Sequence, residues 1–245
     1  MANLVIDIGN TLIKVAVFNG YDYLLKVDQY QTIDPTEIDR LITGYSVTKA
    51  IISTVKKEKA DWEVLLSEKL PVKYFSRDIA IGIKNHYGTP QTLGIDRLVA
   101  VTAAHNLYPG KDNLVIDGGS CITYDMVDAD GNYHGGSISP GLKMRFKAMH
   151  NYTSALPLIE PDAGFDSLFG NNTETAIRSG AQNGLKYELT GFIESYREGR
   201  PDLNILLTGG DAVFFDNLLK NSIFAPQIKN EPYLVLKGLN VAIQA

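Results

Sequence analysis

The sequence predicts an α/β protein made of two similar halves that flank a central cleft. Three observations predict this fold: a seven-residue apolar segment occurs twice, each copy precedes a β-hairpin signal, and segments of helical spacing alternate with these strands. We place the halves at residues 1–110 and 111–245, with no long polar linker between them. A cleft between two such halves is a natural ligand site.

The repeat is close in sequence. Residues 3–9 and 113–119 are identical at six of seven positions, at an offset of 113 − 3 = 110. In each copy an apolar strand runs into an aspartate and glycine, with Asp7 before Gly9 and Asp117 before two glycines. One such strand end arises easily by chance, because strands often precede Asp-Gly turns. Two copies with the same continuation favour a duplication.

Each copy continues into a second strand and a tight turn. The turns are Asn19-Gly20 and Asp130-Gly131, pairs that favour the positive φ values of a hairpin turn. A glycine loop between antiparallel strands differs from Rossmann and P-loop sites, in which a helix follows the loop. A third, looser copy at residues 204–211 predicts another strand that ends in glycines.

The segments between these strands predict helices and one loop. Asp34 and Pro35 are typical of a helix start, and Gly44 of its end. Apolar residues at helical spacing predict further helices over residues 58–69, 98–107 and 173–198. Residues 135–141 are rich in glycine and serine, and predict a flexible segment that either wraps a ligand or turns the chain.

The composition is that of an ordinary folded protein, with 44% hydrophobic and 21% charged residues. The net charge is 23 − 28 = −5 without a basic block, which argues against a nucleic-acid partner. Asp7 cuts short the first apolar run, so we expect neither a signal peptide nor a membrane span. The single cysteine, Cys121, cannot form an intramolecular disulfide and fits the reducing cytoplasm. Its place in a predicted strand favours a buried small residue over a nucleophile.

The loop after the first strand is the first candidate site. The Asp7 carboxylate can hold a hydrated Mg²⁺. Gly9 and the hydroxyl of Thr11 offer donors to phosphate oxygens, since glycine lets the backbone approach closely. Lys14 either adds a positive charge to this site or is a solvated lysine on an exposed hairpin face.

Two further segments are candidates. Residues 117–120 form the second loop, and two facing loops of this type would grip a polyphosphate; alternatively, Asp117 only forms a turn. Residues 94–97 lie at a predicted helix start. There Asp96 is either a functional carboxylate or a first-turn acid favoured by the helix dipole, and Arg97 is otherwise a surface base.

Together these motifs resemble the type III pantothenate kinases, members of the acetate and sugar kinase, Hsp70 and actin superfamily. The matching segments follow in order over almost the whole chain: residues 7–11, Tyr87, residues 94–97, 117–120, 135–141, 153–157, 170–173 and 207–212. The resemblance implies a duplicated actin-like ATPase fold, related to ribonuclease H. It also implies ATP-dependent phosphorylation of pantothenate to 4′-phosphopantothenate, the first step of coenzyme A synthesis.

The resemblance further implies roles for single residues. ATP would contact Asp7, Ile8, Gly9, Asn10, Thr11, Leu12, Ile13, Lys14 and Ser120. Pantothenate would contact Tyr87, Gly94, Ile95, Asp96, Arg97 and Thr173, with Asp96 as the general base. Asp117 would hold the monovalent cation, K⁺ or NH₄⁺, and Asp7 would lie near the Mg²⁺ that accompanies ATP. The pantothenate pocket would lie at a homodimer interface.

Two alternatives stay open at the level of sequence. The chain could be another kinase or phosphatase of the superfamily that acts on a different small-molecule acceptor. It could also be a non-catalytic regulator similar to the Bvg accessory factor. The presence of Asp7, Asp96 and Asp117 together favours an enzyme, since a binding protein needs no base. The second loop departs from the family pattern Asp-x-Gly-Thr-Ala, but Ser120 keeps the hydroxyl group.

Overall fold

The computed structural model describes residues 1–9, 12–21, 23–54 and 58–244. The strands, in chain order, are β1 (Ala2–Ile8), β2 (Ile13–Asn19), β3 (Tyr23–Tyr30), β4 (Val47–Thr54), β5 (Val72–Tyr74), β6 (Lys84–Asn85), β7 (Asn113–Gly118), β8 (Cys121–Val127), β9 (Asn132–Pro140), β10 (Asn204–Gly209) and β11 (Ile228–Asn230). The helices are α1 (Pro35–Tyr45), α2 (Asp61–Lys69), α3 (Ile95–Leu107), α4 (Leu142–Asn151), α5 (Thr173–Arg178), α6 (Gly184–Arg197), α7 (Ala212–Leu219) and α8 (Leu234–Ala242). Over these ranges, none of the helices has the length and apolar character needed to cross a membrane.

The chain divides into two compact units. The first comprises Met1–Lys84, Gly88–Leu107 and Tyr233–Ala245, and the second comprises Asn85–Tyr87 and Tyr108–Pro232. This division differs from the boundary expected after residue 110, because α8 packs against α3 and belongs to the first unit. The two helices approach closely at Gly238, where a Cβ would overlap the carbonyl oxygen of Val99.

The first unit is built on a five-stranded sheet in the order β3-β2-β1-β4-β5. β1, β2 and β3 are antiparallel neighbours, whereas β4 is parallel to β1 and β5 to β4. Leu4, Val5 and Ile6 of the central strand are all fully buried, as expected of a strand covered on both faces. Trp62 and Leu66 of α2 extend this core.

The second unit repeats this arrangement. Its sheet has the order β11-β10-β7-β8-β9-β6, in which β7, β8 and β9 are antiparallel and β10 and β11 are parallel to β7. The order β9-β8-β7-β10-β11 is that of β3-β2-β1-β4-β5 in the first unit. The hairpin turns are confirmed as well, with φ of +66° at Gly20 and +80° at Gly131. The predicted α/β fold with two similar halves is therefore confirmed.

The prediction of a flexible segment at residues 135–141 is wrong, because most of these residues belong to strand β9. At Gly136 a Cβ would overlap the Tyr124 carbonyl oxygen of the neighbouring strand. Glycine is thus needed for close backbone approach rather than for a loop. The predicted burial of Cys121 is also wrong: its side chain is exposed at the start of β8, where the alternation of the strand directs Ile122 inward instead.

Two helices differ from their predicted form: the first in where it ends, and the longest in its interior. α1 begins as predicted, with the Asp34 carboxylate accepting from the Thr36 amide at 2.8 Å. It continues one residue past Gly44 and ends before Ser46, which has a φ of +53°. The long helix predicted over residues 173–198 is divided into α5 and α6 by a π-helical segment, Ser179–Asn183. Such segments interrupt the regular i→i−4 hydrogen bonding without ending the helix.

Candidate active site

Asp7 lies near the carboxyl end of β1, between two polar strand neighbours. Lys14 on β2 is its antiparallel partner and Ser53 on β4 its parallel partner. Paired residues on adjacent strands direct their side chains to the same face of the sheet. Ser53 is buried, and its hydroxyl donates a hydrogen bond to the Asp7 carboxylate. Lys14 is half-buried, so it is not the fully solvated lysine of the alternative interpretation.

The pKa of Asp7 is raised above its ordinary value. Burial is the main cause, and the negative charge of Asp96 raises the pKa further, whereas Lys14 and the Ser53 hydrogen bond lower it. The charge of Asp96 thus acts on Asp7, and both carboxylates belong to the first unit. The structure therefore places both residues in one unit, where the charge of one influences the other.

The loop after β1 is closed by a hydrogen bond from the Gly9 amide to the Leu12 carbonyl, at 3.1 Å. The side chains of Ile8 and Ile13 are buried in the core of the first unit, so only their backbone groups are available to a ligand. The predicted ATP contacts Asn10 and Thr11 lie outside the described residues.

Asp96 is an exposed carboxylate in the first turn of α3. Its Oδ1 accepts a hydrogen bond from the Arg97 amide at 2.9 Å. A Cβ at Gly94 would lie 2.5 Å from this oxygen, so glycine leaves room for the carboxylate. Ile95 is half-buried and Arg97 is buried, which rules out the interpretation of Arg97 as a surface base.

The second loop lies in the second unit, between β7 and β8. Gly119 and Ser120 are exposed, and the Gly119 amide donates to the Cys121 carbonyl at 2.9 Å. The Ser120 carbonyl accepts from the Gly141 amide at 3.2 Å. These contacts give the loop a defined backbone while the Ser120 side chain stays accessible.

Asp117 is packed against Gly209, the last residue of β10. Gly209 has a φ of +85°, and a Cβ there would overlap both the Asp117 carboxylate and the Gly118 carbonyl oxygen. Glycine is thus needed for the close packing of this turn against a carboxylate and a carbonyl oxygen. Oxygen atoms of this kind are the ligands preferred by hard cations.

Sequence reasoning did not assign roles to three polar residues of these sites. Ser53 could have been found, because it ends a strand parallel to β1, and the carboxyl ends of parallel strands meet at one sheet edge. Asp211 donates its amide to the Gly118 carbonyl at 3.0 Å. Burial raises the pKa of Asp211, and Lys143 lowers it. No sequence signal pairs Asp211 with Lys143, since 211 − 143 = 68 residues separate them.

The predicted pantothenate contacts Tyr87 and Thr173 belong to the second unit, whereas residues 94–97 belong to the first. The Tyr87 ring packs on Gly135, where a Cβ would lie 2.8 Å from Cδ2 of the ring. It also stacks with Tyr133 at a centroid distance of 6.4 Å. Thr173 is exposed in the first turn of α5.

Comparisons with known proteins decide the family. The family model for type III pantothenate kinase matches residues 3–195. A type III pantothenate kinase from Bacteroides fragilis (strain YCH46) is 45% identical over 243 residues, which cover 97% of this chain and 96% of that protein. The chain belongs to the type III pantothenate kinase family.

Two solved structures show how widely this fold is used. A conserved protein assigned to the Baf family of transcriptional activators, from Campylobacter jejuni, matches with a TM-score of 0.60 at 20% identity over 98% of this chain and 97% of its own. The activator of the 2-hydroxyisocaproyl-CoA dehydratase from Clostridium difficile, with bound ADPNP, matches with a TM-score of 0.57 at 14% identity over 100% and 94%. These neighbours confirm the predicted actin-like ATPase fold.

A pantothenate kinase uses ATP together with a divalent metal. In the part of the chain that the structure describes, no group of three or more His, Cys, Asp or Glu side chains could hold a metal ion. Mg²⁺ does not require such a group, because it keeps several waters and binds one or two carboxylates plus the phosphates of its substrate. Asp7 fits this role, since a cation beside it would favour the ionised form of a carboxyl whose pKa is raised.

Proposed function

We propose that this chain transfers the γ-phosphoryl group of ATP to the hydroxyl of pantothenate and forms 4′-phosphopantothenate, the first step of coenzyme A synthesis. This is the reaction of the family to which it belongs. The observation that supports the site most strongly is the buried Asp7 carboxylate at the end of β1, which lies between Lys14 and Ser53 and on which the charge of Asp96 acts. One unit then supplies both the proposed metal-binding carboxylate and the proposed base.

Asp96 is the general base in this proposal. It accepts the proton of the pantothenate hydroxyl as the oxygen attacks the phosphoryl group. Its exposure makes it accessible to a substrate, and the Arg97 amide fixes one of its oxygens. Tyr87, residues 94–97 and Thr173 are the proposed pantothenate contacts.

ATP is proposed to bind through residues 7–14 and Ser120. Asp7 would hold the Mg²⁺ of the nucleotide, and this ion supplies neutralisation of the charge on the phosphoryl oxygens. The positive charge of Lys14 adds to that of the Mg²⁺ in orienting the phosphates. Because this chain is acidic overall, bound cations take a large share of the neutralisation of the phosphate charge.

Asp117 is the proposed ligand of a monovalent cation, K⁺ or NH₄⁺. The Asp117 carboxylate and the Gly118 carbonyl oxygen both lie beside Gly209, and two oxygen ligands so close together support this assignment. Carbonyl oxygens replace the hydration shell of K⁺ in other proteins. The cation adds positive charge near the second loop, where Ser120 is proposed to contact ATP.

We also propose that the active form is a homodimer whose interface includes the pantothenate pocket at Thr173. Near Thr173 in sequence, the side chains of Leu168 and Phe169 are 71% and 75% exposed, which supports a covered surface there. Size-exclusion chromatography with light scattering measures the mass. A monomer at the concentrations that support full turnover would contradict the dimer.

Turnover tests the proposed function. The purified protein is incubated with MgATP, K⁺ and pantothenate, and 4′-phosphopantothenate is detected by mass spectrometry. Phosphorylation of a sugar or of acetate in place of pantothenate would contradict the acceptor. Binding of a protein partner in calorimetry without any ATP turnover would favour the regulator instead.

A further inference from the structure

Arg145 and Glu188 form a half-buried ion pair in the second unit. Nη2 of Arg145 lies 2.5 Å from Oε2 of Glu188, and the two side chains are 19% and 23% exposed. The Ser139 hydroxyl accepts from Arg145 at 2.8 Å and donates to Oε1 of Glu188 at 2.6 Å. The Tyr124 hydroxyl donates to the same oxygen at 2.8 Å. The pair is therefore part of a network that joins β8, β9, α4 and α6.

The hydrogen bonds keep Glu188 ionised. Burial raises the pKa of this carboxyl, but the hydrogen bonds from Ser139, Arg145 and Tyr124 outweigh burial and lower it. A carboxylate with these donors has a fixed orientation, and so has the guanidinium bound to it. The network thus fixes the position of the Arg145 guanidinium, and with it the backbone carbonyl that this guanidinium also contacts.

Arg145 also holds the end of β9, because its Nε donates to the Pro140 carbonyl at 3.0 Å. The next residue, Gly141, donates its amide to the Ser120 carbonyl. A Cβ at Gly141 would lie 2.6 Å from that carbonyl oxygen, so the two backbones are in direct contact. Since Gly119 and Ser120 are exposed, burial does not fix their conformation; the Gly119–Cys121 hydrogen bond and the contact with Gly141 do.

We propose that Arg145 and Glu188 are positioning residues for ATP: they fix the end of β9, and through it the backbone of the loop at Ser120. This inference rests on the proposed function, in which Ser120 contacts ATP. Neither residue is among the proposed contacts of the nucleotide. Their effect on the reaction is transmitted by Pro140 and Gly141.

The variant Arg145→Lys tests the proposal. Lysine keeps the positive charge, but its single ammonium cannot replace a planar fork that bonds to Pro140, Ser139 and Glu188 together. We expect the KM for ATP to rise about 3- to 30-fold, while kcat and the KM for pantothenate stay within about twofold. Glu188→Gln removes the charge at nearly unchanged size and is expected to act in the same direction. It replaces Arg145→Lys if that variant does not fold.

Arg178→Lys is the matched control. Arg178 also pairs with a glutamate, Glu174, at 2.6 Å, and its Nε also donates to a backbone carbonyl, that of Glu160 at 3.3 Å. It lies in the same unit, and its substitution is expected to leave the KM for ATP unchanged. An unchanged KM for ATP in Arg145→Lys, or an equal rise in the control, would overturn the proposal.

A purely structural role would give a different result. It would lower the melting temperature and kcat without changing the KM for ATP, and this outcome also overturns the proposal. Calorimetric titration with a non-hydrolysable ATP analogue separates the inference from the proposed function. If the wild-type protein binds the analogue but does not phosphorylate pantothenate, the acceptor is wrong. Weaker analogue binding by Arg145→Lys would still support the positioning role.

Discussion

Substitution of Asp96 by asparagine removes the proposed base with little change in structure. The Asp96 carboxylate is exposed, and its contact with the Arg97 amide uses one oxygen, Oδ1. The asparagine side chain offers a carbonyl oxygen at the same place. We therefore expect the start of α3 to keep its geometry, and the free energy of unfolding to change by no more than about 0.5 kcal/mol.

The effect on catalysis is expected to be much larger. A positioned general base contributes roughly 10²- to 10⁴-fold to the rate, or about 3–5 kcal/mol of transition-state free energy. The value of kcat for Asp96→Asn should fall by this factor. The KM for ATP should change by less than about threefold, because the variant leaves the loops at Asp7 and Ser120 in place.

The assay measures ADP release in a coupled reaction, with mass spectrometry of the product and with the melting temperature recorded in parallel. Asp61→Asn is the matched control, since Asp61 is also an exposed acid in the first turn of a helix in the first unit. A kcat for Asp96→Asn above about one-tenth of the wild-type value would refute the base assignment. An equal loss in Asp61→Asn would show that the effect is not specific to the site.

Three further predictions follow from the geometry. Because the pKa of Asp7 is raised in the fold, its ionised form destabilises the protein at neutral pH, and this penalty disappears as the pH falls through the folded pKa. Asp7→Asn should therefore lose activity yet melt at a higher temperature at pH 7 without Mg²⁺, by about 2–4 °C per kcal/mol, and an unchanged or lower melting temperature in scanning calorimetry would contradict this. Gly141→Ala forces a Cβ to within 2.6 Å of the Ser120 carbonyl oxygen and should raise the KM for ATP about tenfold, whereas Gly191→Ala, a helical position with open space, should leave it unchanged. Asp117→Asn should raise the K⁺ concentration for half-maximal rate at least about tenfold, and K⁺ titrations that match the wild type would exclude Asp117 as the cation ligand.

The parts of the fold that sequence reasoning predicted are those with local signals. Asn19-Gly20 and Asp130-Gly131 define hairpins through the positive φ of their glycines, whatever the rest of the chain does. The repeat of the first strand then predicts the shared strand order. Asp34 likewise begins α1 by a bond to a residue two positions away.

The parts that it did not predict depend on contacts between distant residues. Gly136 resembles a loop residue until the carbonyl of Tyr124 is placed beside it on the neighbouring strand. The return of α8 to the first unit depends on Asn240, which bonds to Asn3 at 2.8 Å. These residues are 240 − 3 = 237 positions apart. No pattern of hydrophobic residues encodes either contact.

The residues of the candidate site also fall into two groups: those with a sequence signal of their own, and those whose position depends on distant contacts. The sequence names Asp7, Asp96 and Asp117, because motifs and resemblance point to them. It does not name Ser53 or Lys143, whose neighbours are set by strand register and by helix packing. Sequence therefore identifies the residues proposed to carry the chemistry better than it identifies their neighbours, which shift the pKa values of such groups.

The two copies of the repeat have also acquired different electrostatics. In the first, burial and the charge of Asp96 raise the pKa of Asp7, and Lys14 offsets this only in part, so the loop favours a cation. In the second, the loop at Ser120 consists of exposed backbone held by Gly141, and it offers neutral amide and hydroxyl donors. A triphosphate requires both kinds of site, because its metal needs carboxylate oxygens and its free oxygens need donors. In the proposed function, each copy of the repeat supplies one of these two kinds of group, although the chain as a whole is acidic.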